Sequence, residues 1–115
     1  MELLHTEQDD IQIIRIEGKI DSESVRSIEE SLFNVIEQGF KKLAVDFKRI
    51  EFISSSGIRS LLMLVRKIDE YKGLLVVYNL KSQIREIFEI SGIDNLIKIC
   101  DTKKDSLEYL GSIDL

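Results

Sequence analysis

Hydrophobic positions along this chain alternate between two periods. Val25, Ile28, Leu32, Val35 and Ile36 recur at helical spacing and predict a helix from about Ser22 to Gln38. Ile58, Leu61, Leu62, Val65 and Ile68 predict a second, beginning near Gly57 and reaching Tyr71. Ile84, Ile87 and Phe88 mark a third. Leu107 and Leu110 mark a fourth, starting near Thr102, where Asp105 three residues on resembles a capping box. Short β-type runs lie between them. Gln12 to Glu17 partly alternates, a shorter run from Glu2 to Thr6 precedes it, and Gln8-Asp9-Asp10 supplies turn chemistry, so these two runs predict an antiparallel hairpin. Leu43 to Phe47 and Leu74 to Tyr78 are nearly continuous apolar runs, as buried parallel strands require. Leu96 to Cys100 predicts a last, short strand.

Strands alternating with helices predict an α/β fold: a mixed, mostly parallel β-sheet with an N-terminal antiparallel hairpin and about four helices. Gly39, Gly73, Gly92 and Gly111 each follow a helical segment, where a left-handed C-terminal residue is expected. The 115 residues are expected to form a single domain, 1–115. With 43% hydrophobic and 32% charged residues the composition is that of a soluble globular domain able to bury its own core. The lone Cys100 fits a reducing compartment, and the N-terminus lacks signal-peptide character, so a cytoplasmic location is expected. No apolar run is long enough to span a bilayer, and no membrane partner is expected. The net charge of −5 and the absence of a basic stripe argue against direct nucleic-acid binding.

The most informative segment is Ile53-Ser54-Ser55-Ser56-Gly57, between an apolar run and the second helix. One of three consecutive hydroxyls can cap the helix by accepting a hydrogen bond from a free backbone N–H. Another can stay exposed as a phosphate acceptor, where the positive end of the helix dipole would face the phosphate. Enzyme chemistry finds little support. A serine nucleophile needs a base within reach, and the only histidine, His5, sits on the first strand with no Gly-x-Ser-x-Gly elbow around the serines. An aspartate-phosphorylated receiver needs an acidic pair after its first strand, whereas Asp9-Asp10 precede a strand. Asp46 reads as a strand-end carboxylate making a backbone or turn contact, and Asp21 as a helix N-cap. No phosphate-binding glycine loop is present, and one Cys and one His at opposite ends cannot form a metal site. No cofactor or metal is called for, and the chain is not expected to be an enzyme.

Several segments together resemble a known family. Gly18-Lys19-Ile20-Asp21 opens the first helix, Asp46-Phe47 ends a strand, and Phe52-Ile53-Ser54-Ser55-Ser56-Gly57-Ile58 enters the second helix. Asn79 follows the next strand, and Ile87-Phe88 with Ser91-Gly92-Ile93 closes the third helix. This pattern is similar to the STAS domain family, in particular the bacterial anti-sigma factor antagonists. The resemblance implies phosphorylation-controlled partner switching. The unphosphorylated form would bind an anti-sigma factor serine kinase and free a sigma factor, and a serine phosphatase would reset it. The family motif, commonly Asp-Ser-Ser-Gly, places the phosphate acceptor at Ser55, with Ser56 as helix cap and Ser54, standing where the motif has Asp, as a secondary site. Asp21, Ser54, Ser56, Gly57, Arg59, Met63 and Arg66 are the residues expected to meet the partner; Met63 falls on the polar side of the second helix. The alternative within the same family is a module binding a nucleotide or a lipid.

Overall fold

The computed structural model describes residues 2–115 and has the expected α/β class. The elements run β1 (Glu2–Gln8), β2 (Ile11–Ile20), α1 (Val25–Glu37), β3 (Lys42–Asp46), β4 (Ile50–Ile53), α2 (Ser55–Glu70), β5 (Leu74–Tyr78), α3 (Ser82–Ser91), a 3-10 turn (Ile93–Asn95), β6 (Lys98–Cys100) and α4 (Lys103–Gly111). The sheet order is β1-β2-β3-β5-β6, with β4 paired to the end of β2. Among the described residues only the β1–β2 pair is antiparallel. Its two-residue turn places Asp9 and Asp10 at φ +51° and +65°, the geometry that matches the twist of a tight hairpin and that aspartate tolerates.

The alternation of side chains along the strands divides the core into two layers. Ile14, Ile16, Leu43, Val45, Leu75 and Val77 face α1, α2 and α3 and pack against Leu32, Leu64 and Phe88 among others. Ile11, Ile13, Ala44, Val76 and Tyr78 point to the other face, where Leu110 of α4 covers them. Phe47 and Phe88 meet edge to face, in a T-shaped contact with 5.9 Å between ring centroids. Lys67 ties α2 to α1: its ammonium sits 3.4 Å from Glu37 and 5.7 Å from the centre of the Phe33 ring.

Several boundaries depart from the sequence reading. β2 extends through Ile20, so Gly18 to Ile20 ends a strand and does not open the first helix. Gly18, at φ +106°, marks a register shift that redirects β2. Its first half pairs with β3 and its last residues with β4, a strand the sequence pattern did not announce. Helix α1 starts at Val25, because Ser22 to Ser24 form a turn closed by Asp21. Leu96 lies outside β6, after the 3-10 turn. Of the four glycines expected to end helices left-handed, Gly39 and Gly92 do. Lys72 takes that conformation in place of Gly73, which is needed for another reason: a Cβ there would lie 2.6 Å from the Lys41 carbonyl oxygen. Gly111 is the last helical residue of α4.

Candidate functional site

The ends of β2 and β4 lie side by side, with Ile20 opposite Ile53. The two segments that follow, Asp21 onward and Ser54 onward, are therefore neighbours although more than thirty residues apart. The Ser54 N–H donates to the Ile20 carbonyl at 2.9 Å. That bond holds Ser54 extended, at ψ 173°, and makes it the last residue before α2. From there its Oγ accepts the Gly57 N–H at 3.1 Å. The cap is thus Ser54, not Ser56 as expected, because only the residue held by the strand end has the extended backbone that capping requires. Ser56 is half-buried, and its Oγ lies 2.8 Å from the Ser54 Oγ.

Ser55 differs from both neighbours. It is the first helical residue, it is exposed, and its hydroxyl makes no hydrogen bond among the described residues. The first turn of α2 carries no acidic side chain, so the positive end of this sixteen-residue helix is not neutralised locally. Gly57 is buried beneath this turn and offers no surface to a partner, contrary to the expected contact. A Cβ on Gly57 would stand 2.7 Å from Ile53 Cγ1 and 2.9 Å from the Ile20 carbonyl oxygen, so glycine lets the helix start rest directly on the strand ends.

Asp21 does cap, but it caps the three-residue turn, Ser22 to Ser24, that leads into α1. Its Oδ1 accepts the N–H groups of Glu23 and Ser24 at 3.0 and 3.2 Å, and its own N–H donates to Ser24 Oγ at 3.1 Å. Asp46 Oδ1 accepts the Lys48 N–H at 2.9 Å, the turn contact read from the sequence, and the Asn79 side-chain amide at 3.3 Å. Across β5 and α4, Tyr78 is buried, and that burial, reinforced by the Asp46 carboxylate, pushes its phenol up to about 12.

Arg59, Met63 and Arg66 form one exposed stripe on α2. Arg59 is one turn from Ser55. Arg66 is eleven residues on, about 16 Å along the axis, and lines a separate groove at the far end of the helix.

The sequence reading missed an apolar groove beside Ser55. Phe52 and Ile53 of β4, Ile58 of α2, and Ile87 and Ile90 of α3 line an open depression of about 410 Å³, with Ser54, Ser55 and Ser91 at its rim. Phe52 is 46% exposed and Ile90 79% exposed. Ile90 was legible as an apolar residue off the buried stripe of α3; Phe52 and Ile87 converge with it only in the fold.

The STAS domain profile matches residues 3–106. The chain belongs to the STAS domain family. Among curated relatives, a Bordetella bronchiseptica protein named as an anti-sigma factor antagonist, BtrV, is 28% identical over 104 residues, covering 90% of each chain. A Thermotoga maritima protein described as an anti-sigma factor antagonist shares the fold with a TM-score of 0.90 at 16% identity, covering 95% of this chain and 94% of that one. The unphosphorylated form of the anti-sigma factor antagonist SpoIIAA superposes with a TM-score of 0.76 at 21% identity, covering 97% of this chain and all of that one. These two likenesses concern the fold.

Proposed function

We propose that this STAS domain is an anti-sigma factor antagonist of the bacterial cytoplasm whose partner is an anti-sigma factor serine kinase, and that phosphorylation of Ser55 controls the complex. The carrying observation is the division of labour among three serines. Ser54 caps, Ser56 bonds to Ser54, and Ser55 alone presents a free, exposed hydroxyl beside an apolar groove. The names of its relatives support the same reading, and SpoIIAA is known in both unphosphorylated and phosphorylated forms.

The switch follows from charge at a docking surface. Unmodified, the rim of the groove is neutral, and Phe52 and Ile90 can be covered by an apolar partner surface. A phosphate on Ser55 adds about −1.5 to −2 charges and strongly hydrated oxygens. Covering that group without a cation costs several kcal/mol, and each ~1.4 kcal/mol is tenfold in affinity. The fold itself is spared, because the helix dipole favours the charge by about 0.3–1 kcal/mol. A serine phosphatase returns the chain to its binding form. The chain acts as a substrate and partner in this cycle and performs no catalysis of its own.

Incubation with the cognate kinase and ATP, followed by mass spectrometric mapping, tests the acceptor. The phosphate is expected on Ser55, and Ser55→Ala is expected to stay unmodified. Full phosphorylation of Ser55→Ala at Ser54 or Ser56 would overturn the assignment.

A further inference from the structure

Six arginines are spread along the chain, and four of them have a carboxylate partner. Arg15 and Arg49 share Glu17 at 3.3 and 3.6 Å, Arg26 meets Glu30 at 3.5 Å, and Arg85 meets Asp101 at 3.1 Å. Arg59 and Arg66, both exposed on α2, have none among the described residues. Arg59 is also the first charged residue of α2. Its neighbours three and four positions away are Ser56, Ser55, Leu62 and Met63, so its own helix offers it no anion. Long helical side chains lean toward the helix N-terminus, over the preceding turn. For Arg59 that turn carries Ser55, exposed and without a hydrogen bond among the described residues.

We infer that Arg59 is the built-in counter-ion of a phosphate on Ser55, an inference that rests on the assignment of Ser55 as acceptor. An anion four residues before a cation is the favoured order on a helix, and a phosphate here would also face the positive end of the dipole. The guanidinium presents parallel N–H donors that match two phosphate oxygens. No charged side chain lines the groove beside Ser55. Glu51 of β4 and Glu89 of α3 are exposed and outside that lining. Across the strand ends stand Lys19, exposed and paired in register with Phe52, and Asp21, whose Oδ1 already accepts the Glu23 and Ser24 N–H groups. Pairing with Arg59 favours the dianion over the monoanion, so the second proton leaves at a lower pH than the ~6 of ordinary phosphoserine. The switch is then fully charged at neutral pH and stays charged somewhat below it. One guanidinium still leaves a dianion net negative, so covering the phosphate with a partner surface remains costly.

The test uses the full chain with phosphoserine placed at position 55 during translation and follows its phosphorus resonance against pH. No kinase or partner takes part. Failure here leaves the acceptor assignment standing, and a kinase that modifies another serine overturns that assignment without touching this pairing. Arg59→Gln is expected to raise the titration midpoint by roughly 0.3 pH unit. Arg66→Gln makes the same charge change eleven residues from Ser55 and is expected to leave the midpoint in place, as is Lys19→Gln. In the phosphorylated chain with Arg59 intact, the Arg59 Nε–H resonance is expected to shift with the same midpoint, and the Arg66 Nε–H is not. An unmoved midpoint in Arg59→Gln would overturn the inference. So would an equal shift in Arg66→Gln or Lys19→Gln, which would mean a diffuse field, or an Arg59 Nε–H that ignores the ionisation of the phosphate.

Discussion

Replacing each serine of the triplet by alanine separates the roles assigned to them. Ser54→Ala removes the acceptor of the Gly57 N–H and the partner of the Ser56 hydroxyl. Loss of a side-chain cap costs about 0.5–2 kcal/mol. Gly57 is buried, so water cannot readily replace the lost acceptor, and the upper half of that range applies, about 1–2 kcal/mol. Ser56→Ala loses one hydroxyl contact but gains helix propensity of a few tenths of a kcal/mol, for a net cost under about 0.5 kcal/mol. Ser55→Ala loses no bond in the unmodified protein and is expected to be neutral or slightly stabilising. Urea denaturation followed by circular dichroism reads all three, with an unchanged slope showing that the same surface is exposed. The expected order of stability is Ser55→Ala at or above wild type, then Ser56→Ala, then Ser54→Ala. Wild-type stability in Ser54→Ala, or a larger loss in Ser56→Ala, would refute the cap and with it the argument that Ser55 is the free hydroxyl.

Gly57→Ala is expected to destabilise by about 1–3 kcal/mol, since the new methyl meets the Ile20 carbonyl oxygen, which cannot rotate away as a side chain can; a thermal melt as high as wild type would contradict that packing. Ser55→Asp is expected to melt within a few degrees of wild type while losing partner affinity, because the charge is added at an exposed helix start; a large drop in melting temperature would mean the switch acts through unfolding. Tyr78 is expected to titrate near pH 12 in an ultraviolet absorbance titration. Its folded value lies above the unfolded value of 10.0, so the folded state keeps a proton the unfolded state loses, and stability falls as pH rises from about 10 toward 12. In Tyr78→Phe that contribution to the alkaline decline is expected to disappear.

Much of the fold was legible because long, strongly periodic segments carry their own signal. The stripe on α2 admits one reading, and the apolar runs of β3 and β5, five residues each, are told from buried helices by their shortness. β4 was not legible. Its four residues, Ile50 to Ile53, are buried only at their two ends, which breaks the alternation that marks a strand. It exists because Gly18 bends β2 toward it. The cap was misassigned for a related reason. Any of three consecutive serines satisfies the local chemistry, and the choice is made by the bond from Ser54 N–H to Ile20, a residue on another strand. Gly57 looked like part of a surface motif because it closes the serine run; its burial against Ile20 and Ile53 appears only once β2 and β4 are paired. The apolar groove was hidden for the same reason. Phe52, Ile58 and Ile90 come from three elements, and although Ile90 falls off the buried stripe of α3, only the fold brings it beside the other two. Arg66 shares the stripe of Arg59, but the length of α2 carries it to the other pole.

One phosphate on Ser55 is expected to abolish partner binding without unfolding the chain. The most direct test uses protein with phosphoserine installed at position 55 during translation, which removes any dependence on where a kinase acts. Calorimetric titration against the cognate anti-sigma factor kinase is expected to give tight binding for the unmodified chain. For the modified chain the loss is expected to be at least about a hundredfold, equivalent to ~2.7 kcal/mol, with the melting temperature preserved. Equal affinity of the two forms, with both folded, would contradict the account.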